Sequence, residues 1–242
     1  MKRVKAGLWA MLLSMVLGEI LSLGSLVSTG GRLSSEHAAS PLSAVTILVT
    51  LTEPLALVLE ITAIVLVVTG SKQLAEKGYA RRLALTAAAF FLAWGVLNLA
   101  VYMPLTLAGM REGSLELVRL GLGVKVVAAL LQYSIPFLLA YGLARRGKVR
   151  QGLWLALVLT VVGGLGVTAL PITSVRLEPV IVSSGKLYVP RYEVNYTSWP
   201  YPLFLVLSHL GGVLYMIIYG IIIKDFEAAT RSLASKNSVI AS

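Results

Sequence analysis

Seven polar side chains stand inside otherwise apolar stretches of the chain: Glu19, Glu53, Glu60, Asn98, Lys125, Gln132 and His209. Carboxylates, an imidazole and an ammonium in such places can bind and release protons or hold a cation, and at bilayer depth they mark transport paths. Glu53 and Glu60 are seven residues apart, two helical turns, so they share one face with Thr46 and Thr50. Pro54 withholds a donor from the Thr50 carbonyl, and Pro136 withholds one from that of Gln132. A helix kink with a free carbonyl is therefore expected beside Glu53 and beside Gln132. Broken backbone next to acids is one way transporters build proton or cation sites. Prolines that only bend packed helices, with the charges as structural glue, are the other reading.

Other chemistries are poorly supplied. The chain has no Cys, two His and one Asp, which removes disulfides, thiol catalysis, Cys-ligated clusters and metal sites rich in His or Asp. Neither a G-x-S-x-G elbow nor an H-E-x-x-H pair occurs. No enzyme, cofactor or metal centre is expected. His209 precedes Leu210-Gly211-Gly212 and suits a proton shuttle, a quinone hydrogen bond or, more plainly, a bond to a neighbouring helix. Gly163-Gly164-Leu165-Gly166 lacks the strand and turn of a phosphate loop and reads as a close helix contact.

These residues are positioned by membrane helices. Of 242 residues, 57% are apolar and 13% charged, half the charge of an ordinary soluble domain, about 25%. Apolar stretches at 7–27, 42–69, 83–104, 118–143, 153–172 and 201–223 each suffice to cross about 30 Å of hydrocarbon. The fold expected is all-α: a single membrane domain over 1–242, a six-transmembrane-helix bundle. The second span carries two Glu, a penalty of roughly 5–7 kcal/mol. Its sixteen Leu, Ile and Val residues return about 5–9 kcal/mol. So narrow a balance requires the acids to face inward, be protonated or find partners. From the span edges, Glu53 lies ~16 Å, Lys125 ~10 Å and His209 ~13 Å below the outer surface. Glu19 and Asn98 also fall in the outer half, and Lys125 is expected to pair with Glu19 or Glu53.

Orientation follows from the basic residues. With the N terminus inside, fourteen Lys and Arg fall on the cytoplasmic side and six outside, Lys125 being in a span. Both termini are therefore expected in the cytoplasm of a cell membrane. The net charge of +10 then reports topology, and no nucleic-acid binding is indicated. Asn195-Tyr196-Thr197, a glycosylation sequon, falls outside. Trp199 and Tyr201 lie at the outer interface, Trp9 and Trp154 at the inner one. Met1-Lys2-Arg3 opens like a signal peptide, but Glu19 interrupts the apolar run and no A-x-A site follows, so the first span is read as retained.

Between the spans, 28–40 is expected to carry no structure of its own, and 105–117 reads as a polar surface loop. The loop at 173–200 reads as a β-hairpin over the outer mouth, with Tyr192, Val194 and Tyr196 alternating with polar residues and edge-like strands implied by Pro179 and Pro190. It suits a lid, a partner contact or a stabilised connector. The tail, 224–242, reads as a short interfacial helix with a Glu227–Arg231 pair, ending disordered. Residues 3–9 and 148–154 echo each other, an echo that inner span boundaries also produce by chance.

The functional expectation is a transport or channel role, proton- or cation-coupled through the intramembrane Glu residues. The alternative is a non-catalytic subunit of respiratory, secretion or DNA-import machinery, a conduit or scaffold driven by an ATPase or redox partner. The partners expected are the lipid bilayer, other membrane subunits or further copies of the chain. With no Cys, three Asn, three Gln and more Arg (twelve) than Lys (nine), the composition is that of a heat-adapted, archaeal-like membrane protein. A melting midpoint above about 60 °C in native-like lipid is expected, and a lower value would remove that reading.

Overall fold

The computed structural model describes residues 2–28, 32–34, 44–72, 78–182, 185–191, 193–195 and 199–240. Its helices are α1 (Lys2–Ser28), α2 (Ala44–Ser71), α3 (Gly78–Val96), α4 (Met103–Glu112), α5 (Leu115–Tyr141), α6 (Gly147–Ser174) and α7 (Tyr201–Ile240). Short strands are β1 (Arg32–Ser34), β2 (Arg176–Val182), β3 (Gly185–Arg191) and β4 (Glu193–Asn195). A π-helical turn, Leu97–Tyr102, joins α3 to α4 in one rod. Among the described residues, six helical stretches of 20 to 34 residues are long and apolar enough to cross a bilayer. Within each, only 11% to 33% of the most apolar window is buried inside the protein. Apolar residues thus cover the outside as well as the inside, as a helix in lipid requires. The protein is an all-α, multi-pass integral membrane bundle with a small hairpin at one end.

The helices pack as a ring in chain order, α1–α2–α3–α5–α6–α7, and α7 closes back on α1. An even number of crossings puts both chain ends on one side, here called the terminal end. The larger core cluster lies in that half. It is built from Val4, Leu8 and Met11 of α1, Ala63 and Val67 of α2, Ala80, Ala84 and Ala87 of α3, Ile135 and Leu139 of α5, Leu153 and Ala156 of α6, and Tyr219 and Ile222 of α7. Small residues let the axes close up. A Cβ at Gly163 would meet the backbone of Phe204 and Ser208, and one at Gly211 would meet that of Ala156 and Thr160. The glycine run of the fifth span is thus a close helix contact, as its sequence implied, with Gly163 and Gly166 against α7 and Gly164 against Tyr133 of α5.

The echoed segments have matching surroundings. Val4 and Val149 are buried, Leu8 and Leu153 are fully buried, Gly7 and Gly152 face α2 and α7, and Trp9 and Trp154 are exposed. Ion pairs finish the terminal face: Lys5 with Glu227 at 2.6 Å, and Arg146 with Asp225 at 2.7 Å.

The opposite end departs from the expected loops. Residues 105–117 form no polar loop: α4 runs to Glu112 and α5 begins at Leu115. Gly113, at φ 69°, supplies the left-handed cap that ends α4, and the Ser114 hydroxyl accepts the Leu117 amide to start α5. Glu116 in that first turn suits the helix dipole. A side chain at Gly113 would also strike the Tyr188 ring of β3, so the glycine seats the hairpin on α4. The β-hairpin is β2 with β3, Val182 opposite Gly185 and Arg176 opposite Arg191.

The alternating segment beyond it is not part of that hairpin. Its described residues, β4, pair antiparallel with β1, Arg32 opposite Asn195 and Ser34 opposite Glu193. Residues 28–40 therefore do contribute structure, because a strand in the third loop offers them a partner; Tyr192 and Tyr196 lie outside the described residues. The tail is no separate helix either. It continues α7 to Ile240, because no Gly or Pro between Lys224 and Lys236 interrupts helical propensity.

Gly163→Ala should lower stability by about 1–3 kcal/mol, since helix backbone leaves a methyl nowhere to go. That is a drop of several degrees in melting temperature. Gly123→Ala, with nothing within 4 Å of the new Cβ, should leave the midpoint unchanged in the same detergent or nanodisc.

Candidate functional site

Beyond the packed core, on the hairpin side, the ring widens around a cavity of about 1140 Å³. Each helix that lines it does so with one face. On α1 the face is Met11, Ser14, Met15, Gly18, Glu19 and Ser22, and on α2 it is Glu53, Ala56, Leu57 and Glu60, spaced three and four apart. Trp94 comes from α3, Gln132, Tyr133 and Pro136 from α5, Thr160 from α6, and Ser208, Gly212 and Tyr215 from α7. All six spans contribute.

The three glutamates sit in different settings. Glu60 is buried against the core, with the Gln132 side chain of α5 beside it on the cavity lining. Glu53 is exposed on the cavity wall two turns away, beside Pro54. Glu19 is half-buried and meets His209 of α7, with Oε2 2.5 Å from Nδ1. Gly212 permits that reach, since a Cβ there would overlap the Glu19 carboxylate. Deeper in, the Tyr219 hydroxyl donates to the Pro136 carbonyl at 2.7 Å, and the Ser14 hydroxyl donates to the Ala56 carbonyl at 3.0 Å. These bonds tie α7 to α5 and α1 to α2 across the floor. Pro54 and Pro136 lie inside continuous helices, and both face the cavity.

Five of the seven intramembrane polar residues are therefore gathered here. Glu19, Glu53, Glu60 and Gln132 line the cavity, and His209 joins through Glu19. Lys125 and Asn98 do not. Lys125 pairs with neither Glu19 nor Glu53; its ammonium lies 5.5 Å from the centre of the Tyr102 ring. At that height the neighbour of α5 is the π turn of the α3–α4 rod, and an aromatic face is a favourable seat for a cation. Asn98 is within that turn, where its amide donates to the Trp94 carbonyl of its own helix at 2.8 Å. Asn195 ends β4, whereas Tyr196 and Thr197 of the sequon, and the side chains of Thr46 and Thr50, lie outside the described residues.

Sequence reading overlooked Tyr215 and Thr160. Both are buried, both line the cavity, and among the described residues the hydroxyl of each has no hydrogen-bond partner. A tyrosine belongs at a membrane interface. Tyr215 stands fourteen residues into the last helix, which begins at Tyr201, and that misplacement was the available signal. Among the described residues no group of three or more His, Asp or Glu is arranged to hold a metal ion. Compared with known proteins, the chain matches no family model, no curated protein and no solved structure.

Replacing Glu19 by Ala strands the His209 ring, and replacing His209 by Phe strands the carboxylate. Each should destabilise, and the double variant should lose less than the sum by about 0.5–3 kcal/mol. Unfolding of the four proteins measures that coupling; strictly additive losses would show that the pair contributes nothing.

Proposed function

We propose that this membrane protein transports a cation in exchange for protons, with Glu60 and Glu53 as the exchanging groups. The observation that carries the reading is a cavity closed by the packed core on one side and lined by three glutamates at membrane depth. A carboxyl in such a place binds either a proton or a cation, and that competition is the simplest coupling device. Intramembrane acids beside helix-breaking residues are a recurring basis for such coupling. Glu60, on the floor beside the tyrosines of α7, is best placed to sense which occupant is present.

We read the cavity as facing outward in a cell membrane, with both termini cytoplasmic, because the basic residues concentrate on the terminal side. No catalytic role is assigned to it.

A second reading, a conduit subunit of a larger assembly, draws on the α3–α4 rod. It is the least covered span, with 11% of its window buried, and it presents Leu92, Val96, Leu99, Met103 and Leu107 in one exposed row. Lipid covers such a row equally well. A stoichiometric ATPase or redox partner retained through mild detergent purification would favour the assembly.

In proteoliposomes with an acid interior and a trapped pH dye, an external cation carried by the protein should collapse the pH gradient faster than in protein-free vesicles. A panel of inorganic and organic cations locates the substrate. Glu60→Gln and Glu53→Gln should each abolish the protein-dependent rate while leaving the melting temperature within a few degrees of wild type. No protein-dependent collapse with any cation, or full activity in both variants, would overturn the proposal.

A further inference from the structure

We propose that the cavity binds a hydrophobic primary or secondary amine in its protonated form. The inference rests on the transport reading, in that it names what the cavity carries.

Charge sets the sign of the ligand. Among the described residues Glu53 and Glu60 line the cavity, no Lys or Arg does, and neither carboxylate has an ion-pair partner. The third acid, Glu19, is already matched by His209.

Size and lining set its body. A space of about 1140 Å³ suits a drug-sized molecule, whose pockets run to about 300–1,000 Å³. A bare metal ion instead needs about six to eight close oxygens for calcium, or a tight octahedron for magnesium. Trp94, Tyr133 and two methionines of α1 supply aromatic and polarisable surface, which favours an organic cation.

The head group follows from an independent observation. Tyr215 is 2% exposed, lines the cavity, and has no hydrogen-bond partner for its hydroxyl among the described residues. A buried hydroxyl in that condition costs free energy that a ligand hydrogen bond recovers. Thr160, 9% exposed, is in the same state. An ammonium bearing N–H groups can donate to a carboxylate and to a hydroxyl together, whereas a quaternary nitrogen has no proton to give. Primary and secondary amines are thereby selected over quaternary ions.

Dansylcadaverine, a primary amine on an aromatic body, is a suitable probe for the full-length protein in lipid nanodiscs. Saturable fluorescence enhancement above that of empty nanodiscs is expected. N-acetyl-dansylcadaverine, which carries no charge, should give no saturable signal, and tetrabutylammonium should displace the probe at least about tenfold less well than butylamine or hexylamine. Glu60→Gln should weaken binding at least about thirtyfold. Tyr215→Phe, with its ring kept, should weaken it about threefold to tenfold. The comparison of ligands on wild-type protein stands even if a variant fails to fold. No saturable signal, equal binding of the acetylated compound, or equal displacement by the quaternary ion would overturn the inference. Because binding is measured without a gradient, the two proposals fail separately. Gradient collapse by an inorganic cation without amine binding removes the amine and keeps transport. Amine binding without any gradient collapse keeps the site and removes transport.

Discussion

The first two helices of the chain each carry acid at membrane depth, Glu19 on α1 and Glu53 and Glu60 on α2, and an unrelieved carboxylate there costs about 2.5–3.5 kcal/mol on insertion scales. That cost decides which way the helices turn. Glu60 and Gln132 of α5 share the cavity lining, Glu19 reaches His209 of α7, and Glu53 faces the space between them. Leucine and valine are left for the lipid side, as in the exposed Leu13, Leu55, Val58 and Val65. Once the acids have chosen their faces, the ring order of the helices and the position of the cavity follow.

The interior is divided along the membrane normal. Toward the chain ends, alanine, glycine and branched aliphatics fill the space completely, and ion pairs at Lys5 and Arg146 finish that surface. Toward the hairpin the same helices diverge around polar side chains, and a smaller cluster of Val118, Leu122 and Val175 holds α5 to α6 beside the cavity. A floor of this kind provides stability without crowding the site. It also places two tyrosines of α7 at the boundary: Tyr219 satisfied by the Pro136 carbonyl, Tyr215 unsatisfied.

Most of the fold was legible because hydrophobic length and the distribution of Lys and Arg are strong signals that need no tertiary information. The seven-residue spacing of Glu53 and Glu60 was equally readable, since helical geometry alone puts both on one face. What escaped depended on neighbours. Lys125 was given an acidic partner because depth was counted from span edges, and depth does not say which helix stands opposite; the π turn at 97–102, which brings Tyr102 there, has no sequence signature. The α4 extension was hidden by Arg111 and Glu112, whose polarity resembles that of a loop but which equally suit the end of a helix emerging from lipid. β1 was invisible because three residues carry no period. Their pairing is decided by a strand more than 150 residues away in the chain, Arg32 facing Asn195.

That last pairing has a mechanical side. Arg32–Ser34 lies in the connection from α1 to α2, and Glu193–Asn195 in the connection from α6 to α7, so backbone hydrogen bonds fasten the two connections to each other. The helical pairs they join are also the most closely packed in the protein, and α1 touches α7. Four helices are thereby stapled into one block above and below, while the α3–α4 rod and α5 are held together by their own two-residue link at Gly113 and Ser114. The two blocks meet where α2 packs on α3 and α5 on α6, with Glu60 on one side of that junction and Gln132 on the other.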